Sequence, residues 1–146
     1  MSEGRKTKIK WRRIATVYFF SAIIVIIASF FALILSLPLP EVPVDVSSKV
    51  LENVIRLNGV LFGFTAAMLS IVYYKEKSYD EKFYATTVFS VTSFLSFLLS
   101  IFIAFCFLIN QTQSSQIFVP VILTCFGGLC SSVYIVLTVI GIEKEE

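Results

Sequence analysis

The side chains that could do chemistry in this 146-residue chain are few, and their types narrow the choices quickly. There is no histidine. That excludes a His-ligated haem, a His-bound copper or iron, a Ser-His or Cys-His nucleophile pair and an imidazole relay. The three cysteines, Cys106, Cys125 and Cys130, all stand inside long apolar runs. A thiol in apolar surroundings is inert, and Cys125 and Cys130, five residues apart, point to different faces of a helix. They read as small apolar fillers, with no disulfide framework. No catalytic residue, metal ligand or cofactor-binding residue is expected, and the chain is read as a non-enzyme without a cofactor.

What remains is charge and hydroxyl. Asp45, Lys49, Glu52 and Arg56 follow one another at steps of four, three and four, which places them in one stripe along a helix. Glu52 stands four residues before Arg56, the favourable orientation for pairing. The opposite face of the same segment carries Val46, Val50, Leu51, Val54 and Ile55. Continued into the apolar run that follows, the stripe passes through Gly59, Gly63, Ala66, Ala67 and Ser70. Gly59-x-x-x-Gly63-x-x-x-Ala67 is the small-xxx-small spacing that lets helix backbones approach closely. It serves either helix packing or, beneath the outer charged stripe, the lining of a narrow path. Asn58, just inside this run, suits a hydrogen bond between helices or an ion ligand.

Comparable small ridges occur elsewhere. One runs through Ala22, Val25, Ser29, Ala32 and Ser36. A second includes Thr86, Ser90, Ser93, Ser96, Ser100 and Ala104, and a third Thr124, Gly127, Gly128, Ser131 and Thr138. Such faces are packing or pore-lining candidates, the latter because hydroxyl dipoles can replace part of an ion's hydration. Asn110-Gln111-Thr112 matches a glycosylation sequon, but it abuts an apolar run, where chance explains it.

The elements that must position these residues are set by composition. Hydrophobic residues make up 57% of the chain and charged residues 15%, against about 25% charged in soluble domains. From Phe83 to Ile142 there is no Asp, Glu, Lys or Arg, and the chain holds fifteen phenylalanines. A soluble fold is ruled out. Residues 1–13 form a basic arm. Residues 14–37 then run uncharged for about 36 Å, enough to cross a hydrocarbon core of about 30 Å. That run is too long for a signal-peptide core and lacks a cleavage pattern, so it reads as a permanent span. Pro38, Pro40 and Pro43 end it.

Further spans are expected at 57–74, with an amphipathic extension from 46, at 83–109 and at 116–142, followed by a tail at 143–146. The expected fold is an all-α, integral membrane four-helix bundle packed through its small faces. Ten of the twelve Lys and Arg residues lie on the side of the N-terminus and two, Lys49 and Arg56, on the other, which places both termini in the cytoplasm. Trp11, Tyr18, Tyr73, Tyr74, Tyr79 and Tyr84 cluster on the basic side, as an interfacial belt would. The basic arm is what orientation requires and does not call for nucleic acid; lipid, other membrane subunits or further copies of the chain are the expected partners. Two functions fit: an accessory or scaffold subunit of a larger complex in the cell membrane, and a homo-oligomeric channel or transporter with a Ser/Thr/Gly-lined path.

Overall fold

The computed structural model describes the backbone of residues 3–75, 81–110 and 114–143, and the side chains of residues 15–68, 70, 86–110 and 114–138. The chain is all-helical among these residues. Four long helices follow in order: α1 (Glu3–Ser36), α2 (Val44–Lys75), α3 (Glu81–Ile109) and α4 (Phe118–Glu143), with a 3-10 turn at Ser115–Ile117 leading into α4. Three stretches are long and apolar enough to cross a membrane: Ala15–Ser36, Thr86–Ile109 and Ser115–Thr138. This is therefore a membrane protein. The apolar half of α2 falls partly outside the residues whose side chains are described, as do most of the expected aromatic belt and the tail.

Prolines set the boundary between α1 and α2. Leu37 precedes Pro38, and a residue before proline is pushed out of the helical region; α1 closes there with Leu37 N–H bonded to the Ile34 carbonyl at 3.3 Å. Pro43 then starts α2, its carbonyl accepting from the N–H groups of Val46 at 3.0 Å and Ser47 at 2.9 Å. Asp45 in the first turn complements the positive end of the helix dipole. The helix continues unbroken from there through Asn58 to Lys75. In α4, Pro120 stands in the first turn, where its missing N–H removes no intrahelical bond.

The helices do not form a simple ring of neighbours. α3 and α4 make the central pair, α2 lies mainly against α3, and α1 lies against α3 and α4. α1 and α2 make at most marginal contact with each other. The seam of α1 is narrow: Val17, Ser21, Val25, Ala32 and Ser36 are buried, at helical spacing, while Phe19, Phe20, Phe30 and Phe31 all point outward, more than half exposed. In water such an exterior would be untenable; in lipid it costs nothing, because chains of methylenes are as apolar as the side chains.

Candidate functional site

The interior is layered along α3. At one end Leu51 and Val54 of α2, Ala104 of α3 and Ile117 of the 3-10 turn form an apolar lid. Beside it Ala32, Val119 and Leu123 join α1 to α4.

One layer below the lid, Asn58 is fully buried. Its side-chain amide donates to Ser100 Oγ and to Thr124 Oγ1, both at 2.9 Å. The Ser100 hydroxyl donates to the Pro120 carbonyl at 2.7 Å and that of Thr124 to the same carbonyl at 2.8 Å. Every proton in this cluster is used, and three helices are tied by it. Asn58 Oδ1 alone has no partner.

The next layer is a ring against a backbone. Phe97 is fully buried, and the Cβ that Gly127 lacks would stand 2.7 Å from its Cε1. Only glycine permits this approach. Phe62 of α2 stacks on Phe94 of α3, ring centroids 4.3 Å apart. Below them Ser93 donates to the Gly127 carbonyl at 2.8 Å and meets Ser131 Oγ at 2.5 Å. Ser90 follows, buried, and Tyr134 donates to the Met68 carbonyl at 3.4 Å at the far end.

The expected candidates thus divide into two groups. Ser90, Ser93, Ser100, Gly127 and Ser131 lie together between α3 and α4. Gly128 is half-buried, with open space at its Cβ position. Gly59, Gly63, Ala67 and Ser70 are all exposed, as are Asp45, Lys49, Glu52 and Arg56. A Cβ at Gly59 or Gly63 would meet nothing within 4 Å. Of the amphipathic segment, Leu51 and Val54 are buried, Val50 and Ile55 half-buried and Val46 exposed.

Packing through every small face within one chain is therefore not what the helices do. α2 has two candidate faces on opposite sides, and the one that turns inward is Ser47, Leu51, Val54, Asn58 and Thr65. The reason lies in Asn58: a carboxamide facing hydrocarbon would leave donors unmet at considerable cost, whereas Gly and Ala have no polar side-chain atom to satisfy. Turning Asn58 inward turns Gly59, Gly63 and Ala67 outward.

Phe97 and the Pro120 carbonyl were not singled out by the sequence pattern. Phe97 is one of fifteen phenylalanines and shares the stripe of Ser93 and Ser100. The carbonyl has no side-chain signature, although Thr124 at four residues beyond Pro120 is the usual spacing for a hydroxyl that bonds back to its own helix. The charges at the start of α2 are loosely held: Arg56 Nη2 stands 3.9 Å from Glu52 Oε2, with the two side chains 79% and 54% exposed.

On the opposite flank, Ala22, Val25 and Ile26 of α1 and Leu98, Leu99 and Phe102 of α3 are among the residues lining a groove of about 600 Å³ without polar lining. No group of three or more His, Cys, Asp and Glu side chains capable of holding a metal occurs among the described residues. The fold and this interior define a helical membrane protein; no family model, no curated protein and no solved structure matches it.

Proposed function

We propose that this chain is a small polytopic membrane protein without a catalytic site of its own, acting as an accessory or scaffold subunit that assembles through the outer face of α2. In this reading α2 is the second of four spans, its first turns project beyond the bilayer on the outer side of the cell membrane, and both termini are cytoplasmic. The observation that carries it is the contrast between outer faces. α1, α3 and α4 present bulky side chains such as Phe30, Phe102 and Leu129, all over 60% exposed, which suit lipid. α2 also exposes Leu57, Val60 and Phe64, but beside them it presents a continuous strip of Gly59, Gly63, Ala67 and Ser70, with nothing of its own chain over either glycine. Small residues on a membrane helix favour close approach of another helix.

The interior supports the same reading. Ser93 and Ser100 bond across the α3–α4 contact to the Gly127 and Pro120 carbonyls, and Phe97 fills the serine stripe between them. The test is gentle solubilisation followed by native mass measurement. The native protein is expected to run heavier than one chain. Gly63→Leu, which has room inside its own chain, is expected to keep its helical content and to lose the partner.

A homo-oligomeric channel is the second reading, favoured by the buried ladder of Ser90, Thr92, Ser93, Ser96 and Ser100 and by the unpartnered oxygens of Asn58, Ser90 and Thr92. Ion flux through liposomes holding the purified chain would favour it.

A further inference from the structure

The charged stripe identifies what covers the outer face of α2. Asp45, Lys49, Glu52 and Arg56 alternate in sign along one line and sum to zero. A stripe of one sign would repel its own copy, since like charges facing each other oppose association. In a parallel pair of copies at one level, an alternating stripe gives every charge an opposite charge of the other copy about one turn above or below it, so diagonal pairs can form.

We propose that two copies of the chain form a parallel two-fold pair through α2, packed at Gly59 and Gly63, with Arg56 of each copy reaching Glu52 of the other. This rests on the reading that α2 faces a partner helix, and it makes that partner a second copy. The strong Lys/Arg asymmetry inserts every copy the same way round, so two α2 helices in one membrane run parallel. A two-fold interface uses the same patch on both sides and requires that patch to match itself. The stripe and the ridge both meet that requirement.

Geometry agrees. Small-xxx-small pairs cross with their backbones close together. From the middle of the Gly59–Gly63 crossing to Arg56 is less than two turns, about 8 Å along the axis, before the helices have splayed far. The Arg56 and Glu52 side chains span such a gap. Within one chain they hold each other only at 3.9 Å and are largely exposed, so both are available to change partners. The ridge lies directly beneath them on the same side of the helix, with nothing of its own chain over Gly59 or Gly63.

The test uses the full chain in its native membrane, with Cys106, Cys125 and Cys130 replaced by alanine and single cysteines introduced by Gly59→Cys, Gly63→Cys and Leu57→Cys. Leu57 is also exposed but lies around the helix from the ridge. A disulfide needs Cα atoms about 4.4–6.8 Å apart, so mild oxidation reports close approach. The expected result is linked pairs of identical chains at positions 59 and 63 and background at 57. With Gly63→Cys in place, Glu52→Arg or Arg56→Glu alone lowers the yield, and the two together restore it. Co-purification of two differently tagged native chains is the parallel measurement, independent of the cysteine substitutions, and is expected to succeed.

Equal linking at 57 and 63 overturns the proposal. Failure of tagged copies to co-purify, with native mass showing a different chain bound, overturns self-pairing and leaves the subunit reading intact. A single unaccompanied chain in native mass overturns both.

Discussion

Gly127 and Phe97 share one space: a methyl group on the glycine would lie within 3.2 Å of three ring carbons, Cε1, Cδ1 and Cζ. Both are buried at the centre of the α3–α4 contact, the most extensive in the chain. The ring has no exposed surface to move into. Adding one methyl must therefore displace the ring and its packed neighbours or shift one of the two helices.

Gly127→Ala is expected to destabilise the fold by about 1–3 kcal/mol, the usual cost of forcing extra volume into a packed interior. Reversible unfolding in mixed micelles would measure it. Gly128→Ala is the control: its Cβ position is open, so no comparable loss is expected. Combining Gly127→Ala with Phe97→Leu, which shortens the obstructing ring, should recover part of the loss. Equal losses at 127 and 128 would remove the steric account.

Asn58 makes a different prediction, because its amide ties three helices while its Oδ1 is unpartnered. Asn58→Leu keeps the branched shape at a larger volume, removes two hydrogen bonds and also removes the orphaned oxygen. Interhelical hydrogen bonds in membranes average about 0.6 kcal/mol, so the loss should be about 1 kcal/mol or less. Asn58→Asp removes the donors and leaves a carboxyl beside two hydroxyls already donating to Pro120 O. Charging it in the membrane interior costs about 3 kcal/mol or more, so Asp should be far worse than Leu. A thermal melt of the three proteins ranks them, and Asp equal to Asn would contradict the buried position.

The lengths of the helices were largely legible and their facing was not. The expected 83–109 is found as Glu81–Ile109, and 116–142 as the 3-10 turn and α4, because charge and proline mark ends without reference to neighbours. α1 begins earlier than its apolar run, at Glu3; nothing in a basic segment forbids helix, so hydropathy marks the membrane and not the helix. Facing is harder, since hydrophobic burial cannot sort one apolar side chain from another in lipid. Ser100 and Gly127 belong to recognisable small ridges, yet so do Gly59 and Gly63, which face the other way. Asn58 was the sign that distinguished the two faces of α2, and it carries that information only once its partners Ser100 and Thr124 are seen to converge.

Ser93 and Ser70 provide a matched pair for the hydroxyl ridges. Ser93 bridges α3 to α4 through Gly127 O and Ser131 Oγ, whereas Ser70 bonds only back to Ala66 O of its own helix and is exposed. Ser93→Ala is expected to cost about 0.6 kcal/mol and no more than about 1.7 kcal/mol, the average and the maximum for such bonds between membrane helices. Ser70→Ala should leave the isolated chain's stability unchanged. If Ser70→Ala nevertheless weakens dimers in the membrane, the hydroxyl takes part in the contact between copies.

Orientation yields the last prediction. Six Lys and Arg residues precede the first apolar run, and Lys75, Lys77 and Lys82 lie between the second and third apolar runs. Charges of this sign near the ends of spans resist translocation, so residue 2 and the α2–α3 connection are expected inside and the α3–α4 connection outside. On the same count α2 is expected to cross; with three crossings the two connections would lie on other sides. In a chain lacking Cys106, Cys125 and Cys130, Ser2→Cys and Ser115→Cys are labelled in intact cells by a membrane-impermeant thiol reagent. Ser115 lies at the start of the 3-10 turn and is partly exposed, so a thiol there is reachable. Labelling is expected at 115 and, at position 2, only after the membrane is opened. Labelling of Ser2→Cys in intact cells would reverse the orientation. A third cysteine, Ser78→Cys, separates four crossings from three: if α2 crosses, it behaves as position 2 does, and if α2 does not cross, positions 2 and 78 label on opposite sides.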